Sequence, residues 1–461
     1  MQRLFAITLL TWKAAFRFRL FWVLTGLLLA SVVGLPLLIK DDGTARGFAQ
    51  ILLTYTLSVI TALLGLCTLW LACGTLARDI EECQMQVVAV KPVARWQIWL
   101  GKWLGLVSLN AALLGIAGGS VYALLLWRAT HLPPDQQTIL RNEVLVARGS
   151  ARPDNRASDI AAETQQRLQA RLAESRVSGA DLAEVQRQIF EQVKAEAQIV
   201  PPGFLRVWRV DLGFQRHFIK GKPLHLRVKF NAAAVTPSGT FTGIWEVGDQ
   251  ESPRLWRSEP MSLAPDTFHE FQVPADLVDE DGGLMIVFLN VNDTALLFPL
   301  EDGIEVLYRE GGFALNFARG LGIVFCWMVL LAAIGLAAAS FLSFPVAAFF
   351  SLALLTIALS SGTLASVVAE GTWMGVDHET GAPSGSFLDP VFVQVFRGLL
   401  WIINLARDFS PIDALSSGRS ISWSELTRAV LQIVGLLGGL FAAFGIAVFH
   451  RRELATAQGT Q

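Results

Sequence analysis

The sequence predicts a polytopic α-helical membrane protein that carries an inserted domain made of a helical arm and a β-sandwich of the jelly-roll type. Of its 461 residues, 53% are hydrophobic and only 16% are charged, whereas soluble domains carry roughly 25% charged residues. Several apolar runs are as long as the roughly 20 residues that a bilayer requires. A polar segment in the middle of the chain shows first a helical period and then a two-residue period, which is typical of strands.

The charge balance and the cysteines argue against several classes of function. A net charge of −2 disfavours nucleic acid as the main partner. The four cysteines, Cys67, Cys73, Cys83 and Cys326, show neither the spacing of a zinc site nor that of a disulfide framework. Because no catalytic constellation can be argued from residue spacing, we expect no metal, no cofactor and no catalytic residue in this chain.

The N-terminal segment, residues 1–19, is amphipathic. Phe5, Leu9, Trp12 and Phe16 recur at helical spacing, and basic residues lie between them. This pattern favours a helix that lies in the membrane interface. The alternative is a plain basic N-terminus whose only role is to orient the first span.

Six membrane spans are predicted, at residues 20–39, 51–76, 103–127, 320–341, 345–369 and 429–449. Basic residues precede the first span, lie between the second and third, and follow the last at Arg451 and Arg452. Because such residues favour the cytoplasmic side, we expect both termini in the cytoplasm and the insertion outside. Residues 391–406 are apolar but contain Arg397, so we expect a re-entrant or interfacial helix in an outer loop at 370–428.

The insertion is predicted to have two parts. Residues 128–200 show helical periodicity and form a helical arm, with a loop expected at 149–156. From 201 to 312 the pattern alternates, as in Leu224, Leu226 and Val228, which predicts a β-sandwich. The flanking domains are residues 1–127 and 313–461. In the sandwich, Trp208, Trp245 and Trp256 could stack on a ligand such as a sugar, but core filling is the commoner role of such rings.

The loop between the second and third spans, residues 77–102, is the most charged part of the membrane region. It contains Arg78, Asp79, Glu81, Glu82, Lys91, Arg95 and Lys102. A helix is predicted from Asp79 to Val90, where Pro92 ends it, and a second helix starts at Arg95. A helix held at the membrane surface suits contact with a soluble partner. The alternative is a solvated run of charges beside the membrane.

The order of residues in this loop resembles that of a known family. An acidic pair, Glu81-Glu82, precedes Pro92-Val-x-Arg95 and then Leu100-Gly-Lys102-x-Leu-Gly105, as in the corresponding loop of ABC-2 type transporter permeases. The chain end at residues 449–454 is also similar, whereas Cys83 stands where the family often has glycine. The resemblance covers residues 1–127 and 320–454 and leaves the insertion outside it.

The resemblance implies a role for a defined set of residues. It implies a loop that couples the chain to a separate ATPase, formed by Asp79, Glu81, Glu82, Pro92, Arg95 and Lys102. The chain itself has no G-x-x-x-x-G-K-[ST] sequence, so it cannot cradle ATP phosphates, and we do not expect an enzyme. The implied partners are two ATPase subunits, a second permease copy or a related permease, membrane lipid and an extracytoplasmic envelope protein.

The expected function is therefore that of the membrane-spanning subunit of an exporter in the inner membrane. The predicted spans contain almost no ionisable side chains, which argues against a transporter driven by protons or sodium. The rival function is a membrane-anchored binding or scaffold protein that acts through its β-sandwich. The two functions can be distinguished because a transporter subunit should co-purify with an ATPase and a scaffold protein should not.

Reversing the charge of the acidic pair tests the resemblance. We expect Glu81→Arg combined with Glu82→Arg to abolish association with the ATPase, because the partner surface must complement these carboxylates. Pulldown from detergent-solubilised membranes measures this association. Undiminished recovery of the ATPase with the double variant contradicts the assignment of the loop.

Overall fold

A computed structural model of the chain describes residues 2–17, 19–38, 44–85, 93–140, 144–153, 157–174, 182–213, 219, 222–234, 239–248, 255–279, 281–373 and 388–452. The chain forms two compact units. The helical unit consists of Met1–Leu145 and Gly312–Gln461, and the β unit consists of Val146–Gly311.

The helical unit is built from long apolar helices and several short ones. Its helices are α1 (Gln2–Arg17), α2 (Arg19–Leu38), α3 (Ala45–Glu81), α4 (Arg95–Ala129), α5 (Pro134–Ile139), α8 (Phe313–Ala339), α9 (Phe344–Leu359), α10 (Ser361–Glu370), α11 (Asp389–Arg407), α12 (Pro411–Ser416), α13 (Trp423–Ala429) and α14 (Gly439–Arg451). Between α13 and α14 the chain continues without a break as a π-helix, Val430–Gly438. The β unit supplies α6 (Ala157–Glu174) and α7 (Leu182–Gln198).

Among the residues that the structure describes, five helical segments are long and apolar enough to cross a membrane. They are Gly47–Glu81, Arg95–Ala129, Phe313–Ala339, Asp389–Ser416 and Trp423–Arg451. Two bent pairs raise the count to as many as seven if each pair is one span. The predicted first span forms a pair with the N-terminal helix, bent by 78°, and the predicted fifth span is broken by 55° at Ser360. The predicted re-entrant segment, residues 391–406, lies within one of the five.

The three central helices of this unit, α3, α4 and α8, pack against one another. Leu57, Ile60 and Leu64 of α3 are buried in one cluster with Ile323 and Val324 of α8. Towards the other end of α8, a Cβ placed on Gly335 would lie 2.6 Å from the Cβ of Ala72. Small residues therefore let the two backbones approach closely, as they do between helices in lipid.

The amphipathic N-terminal helix packs on the first turns of α4. A Cβ atom added to Gly101 would lie 2.7 Å from the Cβ of Ile7, and one added to Gly105 would lie 2.6 Å from the Cβ of Thr11. Both distances are too short for a side chain larger than that of glycine. Trp12 Nε1 also donates a hydrogen bond of 2.9 Å to Ser108 Oγ. One face of this helix is thus held by the protein, while Phe5 on another face stays exposed.

In its described residues the β unit has these strands: β1 (Val146–Ala151), β2 (Ile199–Val200), β3 (Leu205–Asp211), β4 (Leu224–Val228), β5 (Asn231–Ala232), β6 (Phe241–Val247), β7 (Trp256–Arg257), β8 (Met261–Leu263), β9 (His269–Val273), β10 (Gly283–Asn290), β11 (Leu296–Leu297) and β12 (Ile304–Gly312). One sheet has the order β1-β12-β4-β9, and a second has β3-β10-β6-β7, with β8 also paired to β6. With β7 and β8 counted as one interrupted strand, this alternation between two four-stranded sheets is the strand order of a jelly roll. A small third sheet has the order β2-β11-β5.

Both large sheets contribute to one core. Leu226 of β4 and Val306 of β12 are buried in the same cluster as Val210 of β3 and Ile286 of β10. The alternation along β4 and its neighbours therefore marks inward-facing residues, as expected from the sequence. The loop expected at residues 149–156 is wrong in its first part, because β1 continues through Ala151 and pairs with β12.

The two helices of the β unit, α6 and α7, pack against each other over Ile160, Ile189 and Val193. Arg167 bridges Glu163 and Glu196 at 2.6 Å and 2.7 Å. The Arg167 guanidinium lowers the pKa of Glu196. The stability that this ion pair contributes is therefore fully present above the usual pKa of a glutamate, and it is lost as the pH falls through the lowered pKa of Glu196. The chain between the two helices lies outside the described residues.

A valine at Gly105 should displace the N-terminal helix. Its side chain would overlap Thr11, and overpacking of this kind costs about 1–3 kcal/mol. Thermal unfolding in detergent should show a lower midpoint for Gly105→Val. The matched control is Gly115→Val on the same helix, where no atom lies within 4 Å of the added Cβ; equal midpoints for the two variants contradict the packing.

Candidate functional site

The charged loop begins where α3 ends. That helix runs without a break through Asp79 to Glu81, so the expected separate helix starting at Asp79 is wrong in its first turn. Cys83 then adopts a left-handed conformation with φ of 55°, which favours glycine and costs other residues energy. This is the position where the resembling permeases often have glycine. Pro92 and Lys91 lie outside the described residues, and α4 begins at Arg95.

A buried lysine joins the loop's two helices. Lys102 of α4 is only 6% exposed. Its Nζ donates hydrogen bonds to Asp79 Oδ2 at 2.5 Å and to the carbonyl oxygen of Thr75 at 2.6 Å, both on α3. These bonds join α3 to α4 at this end of the unit. Removing the Asp79 carboxylate would leave the buried charge of Lys102 without its partner, which is strongly destabilising.

Glu81 binds the beginning of another helix. Its Oε1 accepts a 2.7 Å hydrogen bond from the backbone N–H of Phe344, the first residue of α9. A carboxylate at a helix N-terminus satisfies a free N–H and interacts favourably with the helix dipole. The Arg78 guanidinium lies 4.3 Å from the centre of the Phe344 ring, and Trp70 meets the same ring edge-on. The last turns of α3 thus hold the start of α9.

Arg95 binds the end of the last helix. Its Nη1 donates to the carbonyl oxygens of Phe449, His450 and Arg452 at 3.2, 2.6 and 2.8 Å. Arg452 in turn donates from Nη1 to the carbonyl oxygens of Ala339 and Ser340, at the end of α8. Cations at these C-terminal ends satisfy carbonyl groups that have no partner within their own helix.

The residues singled out in the sequence therefore separate into two groups. Asp79, Glu81, Arg95 and Lys102 each contact a different helix from the one that carries them. Glu82 remains exposed, and its Oε2 accepts a 2.7 Å hydrogen bond from Gln84. Arg452 was noted in the sequence only as a marker of orientation; its position just after an apolar run was the one signal that it could bind helix ends.

The three tryptophans of the jelly roll belong to an aromatic core. Trp245 has no exposed surface and lies 4.6 Å from Phe288 between ring centres. Trp208 is half-buried and stacks on Trp245 at 6.3 Å, and Trp256 is half-buried and stacks on Phe271 at 5.9 Å. Because Trp245 is buried, its ring cannot stack on a ligand. Trp208 and Trp256 pack against other rings of the core. Among the residues that the structure describes, no group of three or more His, Cys, Asp or Glu is placed to hold a metal ion.

Removing the Arg95 guanidinium should loosen the end of α14. In Arg95→Gln three carbonyl groups lose a charged donor, and hydrogen bonds to charged groups contribute about 1.5–3 kcal/mol. Hydrogen exchange with mass spectrometry should show faster exchange of the amides in the last turn of α14. Lys13→Gln, an exposed position on α1, is the control; equal protection in both variants argues against the capping role.

Comparison with known proteins adds no family to this geometry: no family model, no curated protein and no solved structure matches the chain significantly.

Proposed function

We propose that this chain is the membrane-spanning permease subunit of an ABC-2 type transporter that is energised by a separate ATPase. The observation that carries the proposal is the way its charged loop is held. Asp79, Glu81 and Arg95, which belong to the coupling loop that the resemblance implies, contact α4, α9 and α14 respectively. A force applied to this loop therefore acts on several membrane helices together.

The contacts form one connected set. Lys102 joins α3 to α4, Glu81 joins α3 to α9, and Arg95 joins α4 to the end of α14. Arg452 extends the set to α8. Coupling between distant sites travels through such packed and hydrogen-bonded elements, so the arrangement suits the transfer of movement from a nucleotide-hydrolysing partner to the spans.

The loop also offers an exposed face to that partner. Glu82, Gln84 and Ala94 are exposed, and Trp96 is 46% exposed on the first turn of α4. Tryptophan is enriched among the residues that dominate protein interfaces, and an exposed carboxylate on the same loop supplies charge complementarity. In this proposal Glu82 and Trp96 contact the ATPase, while the other charged residues hold the helices behind them.

The rest of the proposal follows from the resemblance and from the distribution of basic residues. Both termini lie in the cytoplasm, the insertion lies outside the inner membrane, and two copies of the permease, or this chain and a related one, work with two ATPase subunits. Export is the proposed direction, with membrane lipid around the spans and an envelope protein as a further partner. The rival role, that of a membrane-anchored binding or scaffold protein acting through its β-sandwich, loses one of its candidate stacking residues, because Trp245 is buried.

Charge reversal at Glu82 alone is the sharpest test. Because Glu81 also holds α9, a change at both positions would disturb the spans as well as the interface. Affinity purification of the tagged chain in mild detergent, followed by mass spectrometry, should recover an ATPase with a Walker A sequence. We expect Glu82→Arg to lower this recovery about tenfold, which corresponds to the loss of about 1.4 kcal/mol.

Asp135→Arg is the matched control, since Asp135 is an exposed carboxylate on α5, after the far end of α4. It should leave recovery unchanged. Failure to recover any such ATPase with the unaltered chain overturns the proposed function, and equal losses with both variants assign the effect to charge rather than to this surface.

A further inference from the structure

A buried cation lies at the opposite end of α8 from the charged loop. Arg319 is 7% exposed, and its Nε atom is buried without a hydrogen-bond partner within the described part of the chain. Its guanidinium lies over the ring of Trp423, 5.5 Å from the ring centre. Burying a charge is costly unless it is paired and hydrogen-bonded, and a ring face replaces only part of that interaction.

The charges around Arg319 do not balance. Glu425 interacts electrostatically with both Arg319 and Arg428, so two cations share one carboxylate. The Arg428 guanidinium lies 5.9 Å from the centre of the Phe409 ring, which is again an aromatic contact. Of these three residues Arg319 is buried, Glu425 is half-buried and Arg428 is exposed. The two guanidinium groups carry one positive charge more than the carboxylate can neutralise, and an added anion would neutralise it.

The position of Arg319 is set by the packing of its neighbours. One turn earlier, Asn316 donates from Nδ2 to the carbonyl oxygen of Arg419 and accepts from the N–H of Ile421, both at 2.7 Å. A Cβ on Gly320 would come within 2.5 Å of Leu415. The segment from α12 to α13 is thus held tightly against α8, so the guanidinium is held in place rather than free to move out into water.

With the midpoint of α8 placed at the centre of a bilayer, Arg319 lies near the edge of the hydrocarbon region. It is seven residues from the midpoint of the 27-residue α8, a distance of about 10 Å at 1.5 Å per residue. Helical side chains lean towards the N-terminus, which here carries the guanidinium towards the hydrocarbon boundary, about 15 Å from the bilayer centre. Trp423 is exposed beside it, as is typical of tryptophans at the level of the headgroups.

We propose that Arg319 and Arg428 form a binding site for a phosphate group at the membrane surface, supplied by an anionic phospholipid. Guanidinium groups bind phosphate oxygens through strong charge-assisted hydrogen bonds, and the lipid's acyl chains would lie along the exposed apolar side chains of Val430 and Leu431. This site requires only that the helices span a membrane. It does not depend on the proposed role as a transporter subunit.

Native mass spectrometry of the full chain in detergent, titrated with phosphatidylglycerol, tests the site. We expect one tightly retained lipid on the unaltered chain and about tenfold weaker retention on Arg319→Gln, equivalent to about 1.4 kcal/mol. Arg397→Gln is the control, because Arg397 is an exposed arginine on α11 and its loss should leave retention unchanged. Equal retention by the unaltered chain and Arg319→Gln overturns the proposal.

A second measurement separates binding from folding. In lipid-free detergent Arg319→Gln should unfold at the same or a higher temperature than the unaltered chain, because a buried charge without a full partner has been removed. Added phosphatidylglycerol should raise the unfolding temperature of the unaltered chain and not that of the variant. A variant that gains as much as the unaltered chain contradicts the site.

Inorganic phosphate in excess distinguishes the two sources of the same chemistry. If inorganic phosphate displaces the retained lipid, a free phosphate ion is enough to occupy the site formed by the two arginines. If the lipid stays bound, the acyl chains contribute and a phospholipid is the ligand. Both results support a phosphate site, and loss of lipid from the control variant Arg397→Gln as well would contradict it.

Discussion

The free backbone groups at helix ends govern the arrangement of the helical unit. The first N–H groups and the last carbonyls of a helix have no partner within that helix, so side chains or water must satisfy them. Arg95 and Arg452 supply donors to the ends of α14 and α8, and Glu81 supplies an acceptor to the start of α9. The charges that mark the loop in the sequence are therefore largely satisfied inside the chain.

Much of the fold follows from hydropathy and periodicity. Apolar runs located the long helices, and two-residue alternation located strands such as Leu224–Val228. The break at Ser360 was missed, although Ser360, Ser361 and Gly362 interrupt the apolar run there, because small residues such as serine and glycine are also common within membrane-spanning helices. Strand β1 was also missed: Gly149 and Ser150 read as a turn, but the ring of Tyr308 occupies the space beside Gly149, a tertiary contact that outweighs the local preference.

The candidate site was predictable in its residues but not in its contacts. Sequence order singled out Lys102 and Asp79, yet the burial of Lys102 depends on how α3 and α4 meet, which hydropathy does not encode. Arg319 drew no notice because it lies one residue before the predicted fourth span, residues 320–341, whereas the observed helix α8 already begins at Phe313. Its burial results from the segment from α12 to α13, whose packing on α8 depends on small residues such as Gly320.

The π-helix in the last membrane segment has a consequence for any account of its faces. Hydrogen bonds in a π-helix reach one residue further than in an α-helix, so each turn is wider and the angular phase of the side chains changes at Val430–Gly438. Upstream, Ala429 is buried in the cluster that contains Ile323; downstream, Gly445 lies against Trp99 and Ala337. A single helical wheel for this segment would therefore assign residues to the wrong neighbours, and its two halves need separate wheels.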